Sequence, residues 1–163
     1  MPGPDRSDLK PALDMLGKAK RPVLIAGLGV YWCGASVEFV EFAERLGAPV
    51  FTTTKCKGLI PEDHPLRAGC IIGGLIERKL VMEADLIITV GLDAVELQPK
   101  PWPYTLPVLS LASVPSMDAI VPPTRKSSAT LSRFSPALRN GRWKAVTGAR
   151  KPPRISAKTC AMR

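Results

Sequence analysis

Few residues of this 163-residue chain are of types and spacings that do chemistry. The four cysteines, Cys33, Cys56, Cys70 and Cys160, lie far apart with no C-x-x-C pair, and His64 is the only histidine. That pattern excludes a zinc site of the usual ligand spacing. Cys33 and Cys70 sit in apolar surroundings and read as buried free thiols. Cys56 lies between Lys55 and Lys57, whose charges would lower the pKa of an exposed thiol. No partner base accompanies it, so no catalytic residue is assigned. His64, set between Asp63 and Pro65, reads as a structural hydrogen-bonding residue at a corner. The remaining candidate is the Gly27-Leu28-Gly29 turn. Its missing side chains would let a ligand approach the backbone, and the start of the next helix would favour an anion. The same glycines also suit a tight strand-to-helix turn with no ligand.

The elements that must position these residues follow from apolar periodicity. Leu9, Ala12, Leu13, Leu16 and Ala19 recur every three or four residues, predicting a first helix over 7–20 that Ser7 or Asp8 can cap. Pro11 is tolerable there because it falls in the first turn. "RPVLIAGLGV" is a continuous apolar run, as expected of a parallel strand covered on both faces. Residues 36–46 place Val37, Phe39, Val40, Phe42, Ala43 and Leu46 on one face, with Glu41 and Arg45 spaced for an i,i+4 pair, and Gly47 ends the helix. "APVFTT" is a second strand, which completes a right-handed βαβ unit. Thr52, Thr53 and Thr54 close it, as β-prone residues whose hydroxyls can bond the backbone. A long loop is predicted over 54–74, then a short helix over 75–83. A third strand, "EADLIITVG", ends at Gly91, and "TLPVLSLA" is a fourth. Between them the prolines of "LDAVELQPKPWPYTLP" argue against regular structure. "SMDAIVPP" could be one more short strand.

At 45% hydrophobic, the chain can build one ordinary core. Its longest uncharged run, residues 22–37, is too short and too interrupted by glycine to span a bilayer, and the N-terminus lacks a signal-peptide apolar region. A cytoplasmic protein without membrane contact is expected. Charge is uneven. Residues 1–124 hold 12 Lys and Arg against 14 Asp and Glu, whereas residues 125–163 hold 11 Lys and Arg and no acid.

Three blocks stand in order: "AKRPVLIAGLGV", "LGAPVFTTTKCKGLIPEDHPLRAG" and "EADLIITVGLD". Together they resemble the central domain of thiamine-diphosphate-dependent enzymes of the acetolactate synthase, benzoylformate decarboxylase and oxalyl-CoA decarboxylase group, over residues 7–122. The resemblance implies an α/β fold, a Rossmann-like parallel sheet of six strands with helices on both faces. In complete enzymes of the group, thiamine diphosphate and magnesium are held by flanking domains that carry a catalytic glutamate and a Gly-Asp-Gly motif. Neither flank is recognisable here. The resemblance also implies a last strand and a closing helix after the fourth strand, a pattern that stops at about Pro123, so the sheet is expected to be incomplete at its C-terminal end. The remaining domains or subunits of such an enzyme are the partners implied. Some members bind the ADP part of FAD or coenzyme A on this domain. By position, the corresponding cofactor-binding residues are Gly27, Gly29, Thr52, Thr53 and Gly91. The flavin-binding members have three successive glycines at the first turn and an arginine two residues after the later glycine. Leu28 and Asp93 stand at those places, and an acid facing a pyrophosphate is unfavourable.

Past residue 124 the resemblance stops. Residues 125–163 keep no period of 3.6 or 2 and read as a basic, irregular tail whose few apolar residues cannot offset ordering entropy. Out-of-frame translation of a GC-rich gene would give such acid-free, arginine-rich text. The rival reading is a basic arm that binds nucleic acid through its phosphates. The function expected is therefore an isolated central domain, structural or nucleotide-binding, that is not catalytic alone. A stand-alone module for FAD, ADP, NAD or coenzyme A is the alternative.

Overall fold

The computed structural model of the protein describes residues 6–72, 75–97, 102–112 and 125–127. The candidate strand at 116–123, the tail beyond 127, Cys160 and the side chains of Ser7 and Asp8 lie outside what is described. The elements are α1 (Arg6–Lys18), β1 (Pro22–Ala26), α2 (Gly29–Trp32), α3 (Ser36–Leu46), β2 (Val50–Thr52), β3 (Arg67–Cys70), α4 (Leu75–Met82), β4 (Leu86–Val90), β5 (Val108–Leu111) and β6 (Arg125–Ser127), with single 3-10 turns at Thr54–Cys56 and Ala94–Glu96. No helix among the described residues is long and apolar enough to cross a membrane.

All six strands are parallel, in the order β3-β2-β1-β4-β5-β6. The chain winds outward from β1 through β2 to β3, then returns by α4 to β4 on the other side of β1. The winding therefore reverses between β1 and β4, and sheets of this kind bind ligands beyond the strand ends at such a point. Register aligns the two central strands along their full length, from Pro22 opposite Leu86 to Ala26 opposite Val90.

Alternation along the strands separates two cores. Leu24, Ala26, Val50, Ile88, Val90, Leu109 and Leu111 face α1 and α3, meeting Ala12 and Leu16 from the first and Phe39, Phe42, Ala43 and Leu46 from the second. Val23, Ile25, Phe51, Ile87 and Val108 face the other way, against Val81 of α4, Ile71 and Tyr104. Every residue of β1 and β4 is buried, which is why both strands read as unbroken apolar runs. Phe39 is fully enclosed, and burying a side chain of that size contributes about 2–3 kcal/mol. The α3 helix ends at Gly47 with φ +60, and its amide bonds the Glu44 carbonyl.

Three elements differ from the sequence expectation. The predicted loop over 54–74 contains a 3-10 turn and β3. The latter carries a bulge opposite Val50 and Phe51, with Gly69 at φ +131. The proline-rich segment includes the turn at Ala94–Glu96. The last strand, β6, falls at the start of the segment expected to be irregular, because a backbone ladder to β5 requires no apolar period. Among the described residues the ion pairs are His64–Glu44 and Arg67–Glu62, and Glu41–Arg45 is not one of them.

Candidate functional site

At the C-terminal ends of β1 and β4 the two backbones come into contact. The Gly27 amide donates to the Val90 carbonyl at 2.9 Å, the Gly29 amide to the Gly91 carbonyl at 2.9 Å, and the Gly91 amide to the Leu111 carbonyl at 2.8 Å. A Cβ on Gly27 would lie 2.5 Å from both the Gly91 oxygen and the Leu92 Cα, and one on Gly29 would lie 2.8 Å from that oxygen. Gly91 has φ +59, and its own Cβ would lie 2.6 Å from the Val30 nitrogen. The space vacated by these glycines is therefore filled by neighbouring backbone. The structure brings Gly27, Gly29 and Gly91 together, with Thr52 and Thr53 at the end of the adjacent β2.

Into this crossing comes a side chain that sequence reasoning missed. The turn Ala94–Glu96 delivers the Glu96 carboxylate beneath the Gly27–Gly29 loop, where the residue is 9% exposed. Leu28 N–H donates to both of its oxygens at 3.0 Å, and Asp93 N–H donates to Oε1 at 3.0 Å. The Thr53 hydroxyl, itself buried, donates to Oε2 at 2.6 Å. Of the two threonines, Thr53 and not Thr52 reaches the carboxylate. Among the described residues no Lys or Arg pairs with it, so its burial is compensated by these donors rather than by a counter-charge. Asp93, expected from sequence to face the crevice with its acid, contributes its amide instead, and its own Oδ1 accepts the Val95 N–H at 3.2 Å. The available signal for Glu96 was an acid five residues beyond Gly91, on a connection leaving a central strand at its C-terminal end.

The family description "Thiamine pyrophosphate enzyme, central domain" matches residues 9–111. The chain belongs to that family. This central domain is 42% identical over 86 residues to a probable 2-ketoarginine decarboxylase of Pseudomonas aeruginosa, covering 51% of this chain and 14% of that protein. It is 40% identical over 85 residues to a probable acetolactate synthase large subunit of Methanocaldococcus jannaschii, with the same coverage of 51% and 14%. Among solved structures, benzoylformate decarboxylase from Polynucleobacter necessarius superposes with a TM-score of 0.66 at 28% identity, covering 80% of this chain and 26% of that one. The chain thus spans about one seventh of the length of the curated relatives it matches.

The other chemically notable residues of the central domain serve its frame. Cys56 is fully buried and its thiol donates to the Gly27 carbonyl at 3.1 Å. Burial, with the negative charge of Glu96 adding to it, pushes its pKa up to about 12, the reverse of what flanking lysines would do to an exposed thiol. His64 accepts the Leu66 N–H at Nδ1 and bonds Glu44 Oε1 through Nε2, both at 3.2 Å, so its ring fastens the corner before β3 to α3. Glu77 is also buried, and its Oε1 accepts the Ile72 N–H at 3.1 Å where the chain leaves β3. Among the described residues no three His, Cys, Asp or Glu side chains gather where they could hold a metal ion.

Proposed function

We propose that this chain acts as the structural central unit of an acetolactate-synthase-like thiamine diphosphate enzyme and does not turn over substrate alone. The observation that carries this reading is the family match over residues 9–111 in a chain that spans only 14% of its curated relatives. On this reading, thiamine diphosphate and magnesium are held by domains or subunits outside the chain, which supply the carbanion-stabilising chemistry of the cofactor. The contribution of this chain is a rigid sheet to which those parts attach, in the cytoplasm. Purified chain supplied with pyruvate, thiamine diphosphate and magnesium should release neither acetolactate nor acetaldehyde. Release of either would overturn the proposal.

Gly27, Gly29, Thr52, Thr53 and Gly91 are assigned to the frame of the crevice that a nucleotide would have to use. Thermal-shift titration with FAD, ADP, NAD and coenzyme A tests that role, and a shift with one of them would favour the nucleotide-binding module over the structural unit. Out-of-frame translation of residues 125–163 is tested by sequencing the locus. If the shifted frame restores no leucine-patterned helix and no Gly-Asp-Gly motif, the tail is a true product, and salt-sensitive retention of DNA would then make it a nucleic-acid-binding arm.

A further inference from the structure

Three hydrogen-bond donors converge on one point beyond the ends of β1, β2 and β4: the amides of Leu28 and Asp93 and the hydroxyl of Thr53. The point lies where the winding of the sheet reverses, the place at which an open parallel sheet receives ligands. Converging backbone amides there would ordinarily suit an acceptor-only, negatively charged group such as a phosphate. A carboxylate has the same sign of charge and the same hydrogen-bonding needs, and Glu96 satisfies all three donors with its two oxygens. Its position is over-determined. The Glu96 amide bonds the Asp93 carbonyl at 3.0 Å, and the Asp93 side chain ties down the Val95 amide, so the turn holds the carboxylate in place.

We infer that Glu96 is a specificity determinant that closes this crevice to phosphate-bearing ligands by occupying its donors from within. Two effects add. The carboxylate fills the space a phosphate oxygen would take, 2.7 Å from where a Cβ of Gly27 would be. With no cation partner among the described residues, its charge also repels a second anion from a poorly screened site. The inference goes beyond the structural role proposed above and does not depend on it, since it concerns which ligands the crevice can admit whether or not the chain supports catalysis.

The test compares the full chain with Glu96→Ala and Glu96→Gln, using inorganic pyrophosphate and, in parallel, ADP, by equilibrium dialysis at low salt with circular dichroism to check folding. Glu96→Ala should bind pyrophosphate at least tenfold more tightly than wild type, and Glu96→Gln, which removes the charge but keeps most of the volume, should fall between them. Adding Thr53→Val to Glu96→Ala should abolish the gain, which separates the crevice from anion binding by the basic tail. Equal binding by wild type and Glu96→Ala, weak or strong, would overturn the inference, as would a gain that survives Thr53→Val. If Glu96→Ala does not fold, Glu96→Gln decides: binding above wild type supports the inference, and binding equal to it refutes it. A gain for ADP in Glu96→Ala that matches the gain for pyrophosphate supports the inference, and a gain for ADP with none for pyrophosphate would overturn it, because recognition would then rest on the nucleoside.

Discussion

The central pair of strands, β1 and β4, is tied at both ends by a carboxylate that accepts backbone amides, and the two ties differ in almost every physical respect. At the N-terminal end Asp85, half-buried, accepts Lys20 N–H at 2.7 Å and Arg21 N–H at 2.9 Å, both from exposed residues. At the C-terminal end Glu96, nine-tenths buried, accepts a hydroxyl from the buried Thr53 and two amides from the half-buried Leu28 and Asp93. If Asp85 is lost, water can replace it. If Glu96 is lost, the buried Thr53 hydroxyl is stranded where an unmade hydrogen bond carries its full desolvation cost, and the two half-buried amides lose their acceptor as well. The same chemical device is a surface clip at one end and a core element at the other.

Glycine substitutions break the comparison most severely. Gly27→Ala forces a Cβ to 2.5 Å from the Gly91 oxygen and the Leu92 Cα, backbone atoms just past the end of β4 that cannot move without disturbing the contact between the two strand ends. A loss of about 4 kcal/mol, or failure to fold, is expected in urea denaturation. Glu96→Ala comes next, with an expected loss of about 3 kcal/mol, against about 1 kcal/mol for Asp85→Ala at the other end. Equal losses at the two ends would show that burial does not separate them. At the N-terminal end, Gly17 in the last turns of α1 has nothing within 4 Å of where its Cβ would stand. Gly17→Ala should therefore stabilise the chain by about 0.5–1 kcal/mol.

The asymmetry between the ends also explains what could be read from sequence. β1 and β4 announced themselves because burial on both faces demands an unbroken apolar run. The α3 helix announced itself through the stripe of Val37, Phe39, Val40, Phe42, Ala43 and Leu46, of which Val37 proves exposed, and its end through Gly47. Gly27, Gly29 and Gly91 were legible as special positions, but whether ligand or backbone fills their space is decided by a contact between segments more than 60 residues apart. The Glu96 contact to Leu28 spans 68 residues and leaves no local pattern. β3 was illegible for a related reason: four residues, one of them a positive-φ glycine and one an arginine, are held extended by pairing with β2 rather than by their own propensity.

The finest test of the buried end is alkaline pH, because the Cys56 thiol donates to the Gly27 carbonyl close to the Glu96 charge. Its pKa stands at about 12 in the folded chain against 9.0 for an unperturbed thiol, so the folded state holds the proton more tightly than the unfolded state does. A raised pKa of this kind contributes stability that is fully present below pH 9 and is lost progressively as pH rises from 9 toward 12, since only the unfolded thiol ionises in that window. The urea midpoint of wild type should therefore fall with pH above 9 more steeply than that of Cys56→Ala, whose stability below pH 9 is the lower of the two because of the cavity it leaves. Cys70 and Tyr104, whose pKa values are also raised by desolvation, are common to both proteins and cancel in the difference, whereas Tyr31, raised by desolvation and by the charge of Cys56, keeps only the first of these in Cys56→Ala. Parallel slopes would mean that the thiol is not held neutral, and that the C-terminal end of the β1–β4 pair is wetter than the burial of Cys56 and Glu96 implies.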